Sequence, residues 1–207
     1  MKRVGFFCFE EKNNDCRRQR MMKVLIVIMM AGMWCMQPEK ASAADPVIRV
    51  ILTTTDFNSR YHQEITVSYD GKEITYTAEE VKKQGDKVRI PAQKDGIRIL
   101  SIQRQSGTPV YGSIEIIPKE EGLIIVNELF LEKYLTRVVP SEMPATYEKE
   151  ALKAQAVCAR TYAWKQIQEQ RLHELEADVD DTVNFQVYGN MEPQKAATEA
   201  VRETEGQ

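Results

Sequence analysis

Val138-Val139-Pro140-Ser141-Glu142-Met143-Pro144-Ala145 is the stretch around which the rest of the chain is organised, because two prolines frame a carboxylate. Proline lacks a backbone donor and disfavours helical geometry at the residue before it. We therefore predict that a helix over residues 127–139 ends before Pro140 and that residues 141–143 are extended. Glu142 would then project from a short, stiff linker.

The segment after this stretch has the strongest helical character in the chain, since residues 147–171 contain neither glycine nor proline. Thr146 is the predicted N-cap, with Glu148 in the first turn. Small and apolar residues recur at helical spacing on one face and on its flank: Ala151, Ala154, Cys158 and Tyr162, then Leu152, Ala156, Ala159 and Ala163. This composition predicts a core helix that packs closely on more than one side.

The preceding part of the chain, residues 47–126, has the short β-branched segments that are typical of strands. The predicted strands are residues 47–52, 64–69, 73–76, 87–90, 96–100, 113–117 and 123–126. Asp70-Gly71 lies between two of them and indicates a hairpin. Strands followed by helices predict an α+β fold: a β-rich N-terminal layer of six or seven strands, then helices that include one long small-residue core helix.

The first 43 residues differ in kind from the rest. Lys23 precedes an apolar run over residues 24–36, and Ala41-Ser42-Ala43 follows shortly after it. This order predicts a signal peptide over residues 1–43 that is cleaved after Ala43, leaving a domain over residues 44–207. The run is short for a span of about 20 residues, and the alternative is an uncleaved membrane anchor.

Charge and cysteine content change when residues 1–43 are removed. That segment holds 8 of the 28 basic and 4 of the 31 acidic residues, so the remainder has 20 against 27 and a net charge near −7. Such an acidic domain is a poor candidate for binding nucleic acid. Cys8, Cys16 and Cys35 are removed too, so no internal disulfide is available, and Cys158 is predicted to be buried and structural.

Residue patterns alone do not assign a role to Glu142, because a lone glutamate between helices is more often a solvated or capping residue than an acid catalyst. Three runs add further information: residues 127–135, residues 138–144, and the Glu-Ala-Leu-Lys-Ala-Gln-Ala-Val-Cys-Ala-Arg-Thr-Tyr-Ala run over residues 150–163. On these runs the chain resembles the stage II sporulation protein D family, also called the SpoIID/LytB domain. The resemblance covers roughly residue 47 to the end.

The resemblance implies a function in the cell wall. Members of that family are peptidoglycan lytic transglycosylases or partners of cell-wall hydrolases, and the glutamate of their Ser-Glu-Met-Pro motif is the catalytic acid. By resemblance that role falls to Glu142. Typical members also continue with further strands and a serine- and glycine-rich segment, so the resemblance implies that the domain over residues 44–207 is incomplete at its C-terminus.

One carboxylate is enough for this chemistry. Ordinary glycosidases use two, but a lytic transglycosylase uses the 6-hydroxyl of muramic acid as the nucleophile, and the sugar closes to a 1,6-anhydro ring. An acid catalyst in this role needs a pKa near neutrality, and we expect desolvation by Met143, Pro140 and Pro144 to provide it.

Four further residues of the motif region are predicted to bind substrate: Ser141, Lys153, Gln155 and Arg160. Lys153 and Arg160 match charged positions of the family and would contact substrate carboxylates or orient Glu142. The structural alternative for these two is the helix surface or a buried ion pair.

Residues 178–189 align with a family segment that carries zinc ligands in some members. Asp180, Asn184 and Phe185 stand at those places, and a thiolate site cannot be built from them, so we predict no zinc and no other cofactor. The alternative is that Asp178, Asp180 and Asp181 bind calcium, but a solvated loop is the preferred interpretation.

Three functions from different classes remain open. The first is a lytic transglycosylase of the cell wall, acting in sporulation or wall remodelling. The second is a non-catalytic partner of cell-wall hydrolases or of sporulation proteins, and the third is a glycan-binding β-module without chemistry. In each case the predicted partners are peptidoglycan glycan strands and the predicted location is outside the cytoplasm, in the cell wall or at the outer face of the membrane.

Overall fold

The computed structural model describes residues 45–105, 107–189 and 191–207. The predicted signal peptide, residues 1–43, lies outside the described residues. Within the described ranges, none of the helices has the length and apolar character needed to cross a membrane. The elements follow in the order β1 Val47–Ile51, β2 Glu64–Tyr69, β3 Lys72–Thr77, α1 Ala78–Gln84, β4 Val88–Ile90, β5 Arg98–Ile99, β6 Ser113–Pro118, β7 Leu123–Phe130, α2 Leu131–Glu142, α3 Lys149–Glu169, β8 Val179–Asp180 and α4 Lys195–Glu203.

The larger sheet has five strands in the order β4-β6-β7-β1-β8. β1 is antiparallel to β7, with Val50 opposite Asn127. β8 is parallel to β1, with Val50 opposite Val179 on its other side. The sequence pattern did not predict β8, because two residues are too few to show a period. This short strand fixes the acidic segment around Asp180 to the sheet.

The smaller sheet has three strands in the order β3-β2-β5. Its β2–β3 hairpin turns at Asp70 and Gly71, whose φ angles of 50° and 69° are left-handed, as a tight hairpin requires. The predicted hairpin is confirmed. Helix α1, which was not predicted, follows directly: the Thr77 side chain accepts a bond from the Glu80 backbone, and the Glu80 side chain accepts one from the Thr77 backbone.

The main core lies between the sheets and helices α2, α3 and α4. Ile48 and Val50 of β1 belong to it together with Leu135 of α2, whereas Ile51 packs in a smaller cluster with Val126 on the opposite face of the sheet. Alternate residues of β1 therefore bury both faces of the sheet. The predicted α+β fold is confirmed, with two sheets in place of one β-rich layer.

An ion network covers part of the larger sheet. The Glu115 side chain is only 3% exposed, yet it pairs with Arg49 at 2.7 Å, Lys87 at 3.0 Å and Arg89 at 2.6 Å. Burial raises the pKa of Glu115, but hydrogen bonds from these three cations outweigh it and lower that pKa to about 2. Glu115 is thus ionised and tightly bound.

The predicted end of the first helix is wrong. Strand β7 continues to Phe130, α2 begins at Leu131 rather than at residue 127, and it continues two residues past Pro140. A proline so close to a helix end removes only one intrahelical bond, the one to the carbonyl of Thr136. Val139 and Pro140 are buried, and this packing outweighs the local preference against helix before proline.

The predicted start of the long helix is also wrong, by a few residues. Thr146 lies in a turn closed by the Tyr147 N–H, which donates to the Pro144 carbonyl at 3.1 Å. Helix α3 therefore begins only at Lys149, with Glu148 as an N-cap whose side chain makes no capping bond. The long core helix itself is confirmed.

The side of α3 that faces the core is not the predicted face, which contains Cys158, but the neighbouring flank. Its buried small and apolar residues are Leu152, Ala156, Ala159 and Ala163. Cys158 points away from this side and is exposed, so the prediction of a buried cysteine is wrong. The helix has small residues on several sides, and composition alone could not decide which side was covered.

Candidate active site at the end of helix α2

Glu142 is the last residue of α2, and its side chain is exposed. The backbone N–H of Val187 donates a hydrogen bond of 2.8 Å to its Oε1. The predicted extended geometry is wrong for Ser141 and Glu142, which belong to the helix, and is confirmed for Met143, which follows it with extended backbone angles. This arrangement fixes one carboxylate oxygen while the side chain stays accessible to a substrate.

Ser141 meets the same neighbouring segment. Its hydroxyl donates to the Arg137 carbonyl at 2.7 Å, and the Gly189 N–H approaches its oxygen at 3.4 Å. A side-chain carbon at residue 189 would come within 3.2 Å of the Ser141 hydroxyl oxygen. Residues 186–189, here called the supporting segment, therefore lie against the end of α2 at both Ser141 and Glu142.

Buried polar groups hold the supporting segment in place. The Gln186 amide donates to the Ala159 carbonyl of α3 at 3.3 Å. The Tyr188 ring stacks on Tyr134 with 5.2 Å between ring centroids, and its hydroxyl donates to the Asn127 side chain at 3.2 Å. Burial raises the pKa of Tyr188 to about 12, so it acts as a neutral donor.

Sequence reasoning missed this support. Asn127, Tyr134, Gln186 and Tyr188 carry no spacing that marks them as partners, because they meet only through the fold. The resemblance was the only signal that could have selected them: its first run contains Asn127 and Tyr134, and the aligned segment 178–189 contains Gln186 and Tyr188. Because Gln186 and Tyr188 are bonded to buried groups on either side of Val187, the core fixes the position of the Val187 N–H.

Arg160 of α3 binds α2 at the end opposite to Glu142. Its Nε and Nη2 atoms bind the two oxygens of Glu132 at 2.7 and 2.8 Å, and its Nη2 also donates to the Val201 carbonyl at 3.0 Å. Glu132 and Glu142 are separated by about 15 Å, given 1.5 Å of rise per residue. Of the two interpretations of Arg160, the structure thus shows the buried ion pair.

The other predicted substrate-binding residues of α3 are more exposed. The Lys153 ammonium lies 3.2 Å from Glu150 and 4.0 Å from Glu203, on the helix surface. Gln155 is partly buried on the same helix. The structure thus brings Ser141 and Glu142 together and places Lys153 in surface ion pairs.

The expected desolvation of Glu142 is not what the structure shows. Pro140 is buried in the core and Met143 packs against it, while Pro144 and the Glu142 side chain are exposed. A buried proline cannot shield a carboxylate that points to solvent. Exclusion of water from Glu142 would have to come from a bound substrate.

The aspartates at the end of β8 and directly after it do not form a solvated loop. Asp180 and Asp181 are 1% and 0% exposed. Arg60 donates to Asp180 at 2.6 Å, and Arg104 donates to Asp181 at 2.6 Å. Both carboxylates are bound by arginines inside the protein, so the solvated interpretation is wrong.

No group of three or more His, Cys, Asp or Glu residues is placed to hold a metal ion in the described part of the chain. Asp178 accepts a bond of 2.8 Å from the Arg49 backbone N–H, and burial raises its pKa. Of the residues at the zinc-ligand places, Asn184 is exposed and Phe185 packs against the core. The donor set does not fit zinc, which prefers thiolate and imidazole ligands.

A large cavity in the described part of the chain is lined by residues other than Glu142. It has a volume of about 610 Å³ and is lined by residues that include Tyr111, Phe130, Lys133 and Thr136. Cavity size alone would select this groove as the site. We give more weight to Glu142, because an accessible carboxylate on a rigid support is what acid catalysis requires.

The family model described as Stage II sporulation protein, SpoIID, matches residues 119–207. This match includes α2, α3, α4 and the supporting segment around Glu142. These findings assign residues 119–207 to the SpoIID family.

Three relatives are similar to parts of the chain. An uncharacterized protein of Brachyspira hyodysenteriae is 35% identical over 139 residues, which is 66% of this chain and 37% of that protein. Stage II sporulation protein D of Bacillus subtilis is 48% identical over 65 residues, which is 30% of this chain and 19% of that protein. The amidase enhancer of Bacillus subtilis is 42% identical over 72 residues, covering 35% and 9%.

The matched part of the chain thus spans little more than a third of the first of these relatives, and less of the other two. No solved structure matches the chain.

Proposed function

We propose that this protein cleaves peptidoglycan glycan strands as a lytic transglycosylase outside the cytoplasm, with Glu142 as the catalytic residue. The observation that carries the proposal is the Glu142 carboxylate itself. It is accessible, it ends a helix, and its Oε1 is held by the Val187 N–H at 2.8 Å. The assignment of residues 119–207 to the SpoIID family and the similarity to an amidase enhancer support a role in the cell wall during sporulation.

The reaction needs one group that both gives and takes a proton. Glu142 in its acid form protonates the glycosidic oxygen as the bond to the muramic acid carbon breaks. The resulting carboxylate then takes the proton of the 6-hydroxyl as that oxygen bonds to the same carbon. The products are a 1,6-anhydro end and a free hydroxyl, and no water is consumed.

The supporting segment gives this cycle a fixed geometry. Val187 binds only Oε1, so Oε2 is the oxygen on which the proton is expected to move. Because Tyr188 and Gln186 anchor the segment in the core, Glu142 cannot rotate without losing the Val187 bond. Preorganisation of this kind lowers the cost of reaching the transition state.

The test compares Glu142→Gln with the parent in the protein as its gene encodes it. Glutamine keeps the shape and can still accept the Val187 bond, but it cannot donate a proton to the leaving oxygen. We expect the release of 1,6-anhydromuramic ends from peptide-free strands to fall by roughly a hundredfold or more. Glu148→Gln is the matched control. Glu148 is an exposed glutamate at the start of α3 whose side chain makes no capping bond, so its replacement should leave the release of anhydro ends unchanged.

Two outcomes would reject the proposal. Glu142→Gln could cleave strands as fast as the parent, or the products of the parent could carry reducing ends. The second outcome would mean that water is the nucleophile, which needs a second carboxylate.

A second candidate function is that of a non-catalytic partner of cell-wall hydrolases. The similarity to an amidase enhancer over 72 residues favours it. In that case the parent and Glu142→Gln would raise the activity of a purified cell-wall amidase equally, and neither would produce anhydro ends.

A further inference from the structure

A small polar pocket lies between the loop joining β1 to β2 and the residues that follow β8. Its volume is about 320 Å³, at the lower end of the range for ligand pockets. Its lining includes two aromatic rings and several planar polar groups: Phe57, Asn58, Arg60, Tyr61, Asp180 and Asn184. We call it the β1–β2 loop pocket.

The loop holds an aromatic side chain in a costly conformation. Phe57 has a φ of 61°, in the left-handed region that bulky residues rarely adopt, and it is 44% exposed. Asp56 fixes the loop by accepting bonds from the Thr54 hydroxyl at 2.6 Å and from the Asn58 amide group at 2.7 Å. Strained residues of this kind cluster at ligand sites.

The Phe57 ring also covers Arg104, whose guanidinium carbon lies 3.9 Å from the ring centroid. This contact gives one face of the ring a structural role. It does not explain why the residue remains 44% exposed beside a pocket, where asparagine or glycine would avoid the strain. A ligand packed on the exposed part of the ring explains both features.

Arg60 is held in a fixed orientation at the same pocket. Its Nε and Nη2 donate to Asp180 Oδ2 at 2.9 and 2.6 Å, and the other oxygen of Asp180 accepts from the Thr182 hydroxyl at 2.6 Å. The Arg60 side chain is still 34% exposed. Arg60 lines the pocket, and these bonds fix the orientation of its guanidinium there.

The lining is close to electrically neutral. Arg60 is paired with Asp180, and Arg104 behind Phe57 is paired with Asp181. Because each arginine is already paired with an aspartate, the pocket offers no unpaired charge to bind a charged ligand. The lining instead fits a neutral sugar. Its aromatic rings can pack on the apolar face of the sugar, and its planar donors and acceptors can bind hydroxyl and amide groups.

The pocket is close to the candidate active site. Asn184 lines the pocket, and Val187 binds Glu142. Val187 is three positions after Asn184, so their Cα atoms are at most about 11 Å apart. A glycan strand that reaches Glu142 can therefore extend to the pocket.

We propose that the β1–β2 loop pocket is a subsite for a neutral N-acetylated sugar ring of the same glycan strand. This inference rests on the proposed function for the identity of the strand. Phe57 and Tyr61 would contact the face of the ring, while Arg60 and Asn184 would bind its polar groups.

The test measures binding of a neutral hexamer of β-1,4-linked N-acetylglucosamine by calorimetry, in the Glu142→Gln background so that no strand is cleaved. Phe57→Asn removes the ring, and asparagine tolerates a left-handed φ. We expect affinity to fall about tenfold, the size of an aromatic contact, with an unchanged or higher melting temperature. Phe57→Tyr keeps the ring and should keep the affinity.

Two further measurements keep the test decisive. Asn184→Ala changes an exposed side chain and should also weaken binding, which settles the question if Phe57→Asn fails to fold. A hexamer of a uronic acid should bind more weakly than the neutral hexamer, because the pocket offers no unmatched cation.

The subsite is rejected if the Glu142→Gln protein does not bind the neutral hexamer. It is also rejected if Phe57→Asn or Asn184→Ala, added to that background, folds and binds the hexamer equally well. It is also rejected if the uronic acid hexamer binds more tightly. None of these results bears on the release of anhydro ends, so the failure of the subsite is distinguishable from the failure of the proposed function.

Discussion

Helix α2 carries two glutamates in opposite situations. Glu132, in its first turn, has both oxygens bound by Arg160 at 2.7 and 2.8 Å, and the guanidinium is itself buried. Glu142, its last residue, has one oxygen bound by a backbone N–H, and its side chain is exposed. The same residue type on the same helix is thus fully engaged at one end and chemically available at the other.

The difference shows how burial separates structural charges from functional ones. Arg160 connects α2 to α3 through Glu132 and reaches α4 through the Val201 carbonyl. A guanidinium bound in this way can receive a substrate carboxylate only if it first releases Glu132. In this chain Arg160 therefore serves to join the three helices.

The largest effect on stability is expected when the Arg160–Glu132 ion pair at the start of α2 is removed. Arg160→Leu leaves Glu132 without its partner in a largely buried position, and we expect the free energy of unfolding to fall by about 3 kcal/mol. That value is at the lower end of the range for buried pairs, because the Glu132 side chain keeps 20% exposure. Denaturant unfolding measures it.

The control for Arg160→Leu is Lys153→Leu, on the same helix. Lys153 makes only surface pairs, so its loss should cost less than about 1 kcal/mol. Equal losses for the two variants would contradict the distinction between buried and surface pairs on α3.

An intermediate effect is expected at Glu115, a second fully engaged carboxylate. Its pKa is lowered to about 2, so it stabilises the folded state fully above its ordinary pKa of 4.5 and loses that contribution as the pH falls towards 2. Glu115→Gln should lower the free energy of unfolding by about 2 kcal/mol at pH 7. Its stability should also decline less than that of the parent between pH 4.5 and pH 2.

Acid titrations of unfolding for the two proteins provide the measurement. If both lost stability in parallel over this window, the ion network around Glu115 would not be the source of the acid sensitivity.

The smallest effect on stability is expected at the available end. Glu142→Gln keeps an acceptor for the Val187 N–H and removes a charge from an exposed side chain, so the free energy of unfolding should change by no more than about 0.5 kcal/mol. Thermal unfolding of the variant used for the cleavage assay checks this. A loss above 2 kcal/mol would show that Glu142 is a structural residue like Glu132.

The parts of the fold that were predicted from sequence are those with a local cause. The Asp70-Gly71 hairpin, most of the strands and the long helix α3 follow from turn chemistry, β-branched residues and uninterrupted helical composition. Local rules failed at Pro140 and Thr146, where burial of α2 and a turn after Pro144 decided the helix ends. Strand β8 was not predicted because its two residues show no period, and it is a strand only through its pairing with β1, more than a hundred residues earlier.

The candidate site shows the same limit. The motif and the resemblance selected Ser141 and Glu142, which the structure places together. They could not select Val187, whose contribution is a backbone N–H and is therefore independent of its side chain. Nor could they show that Asp180 and Asp181 are bound by Arg60 and Arg104, since those pairs join residues far apart in the sequence.

The bond between Val187 and Glu142 has a spectroscopic consequence. An amide proton that donates to a carboxylate changes its resonance frequency when that carboxylate gains a proton, and the two atoms here are 2.8 Å apart. The amide of residue 187 is therefore a built-in indicator of the charge on Glu142. It can be followed by nuclear magnetic resonance in the resting protein and again with a glycan bound.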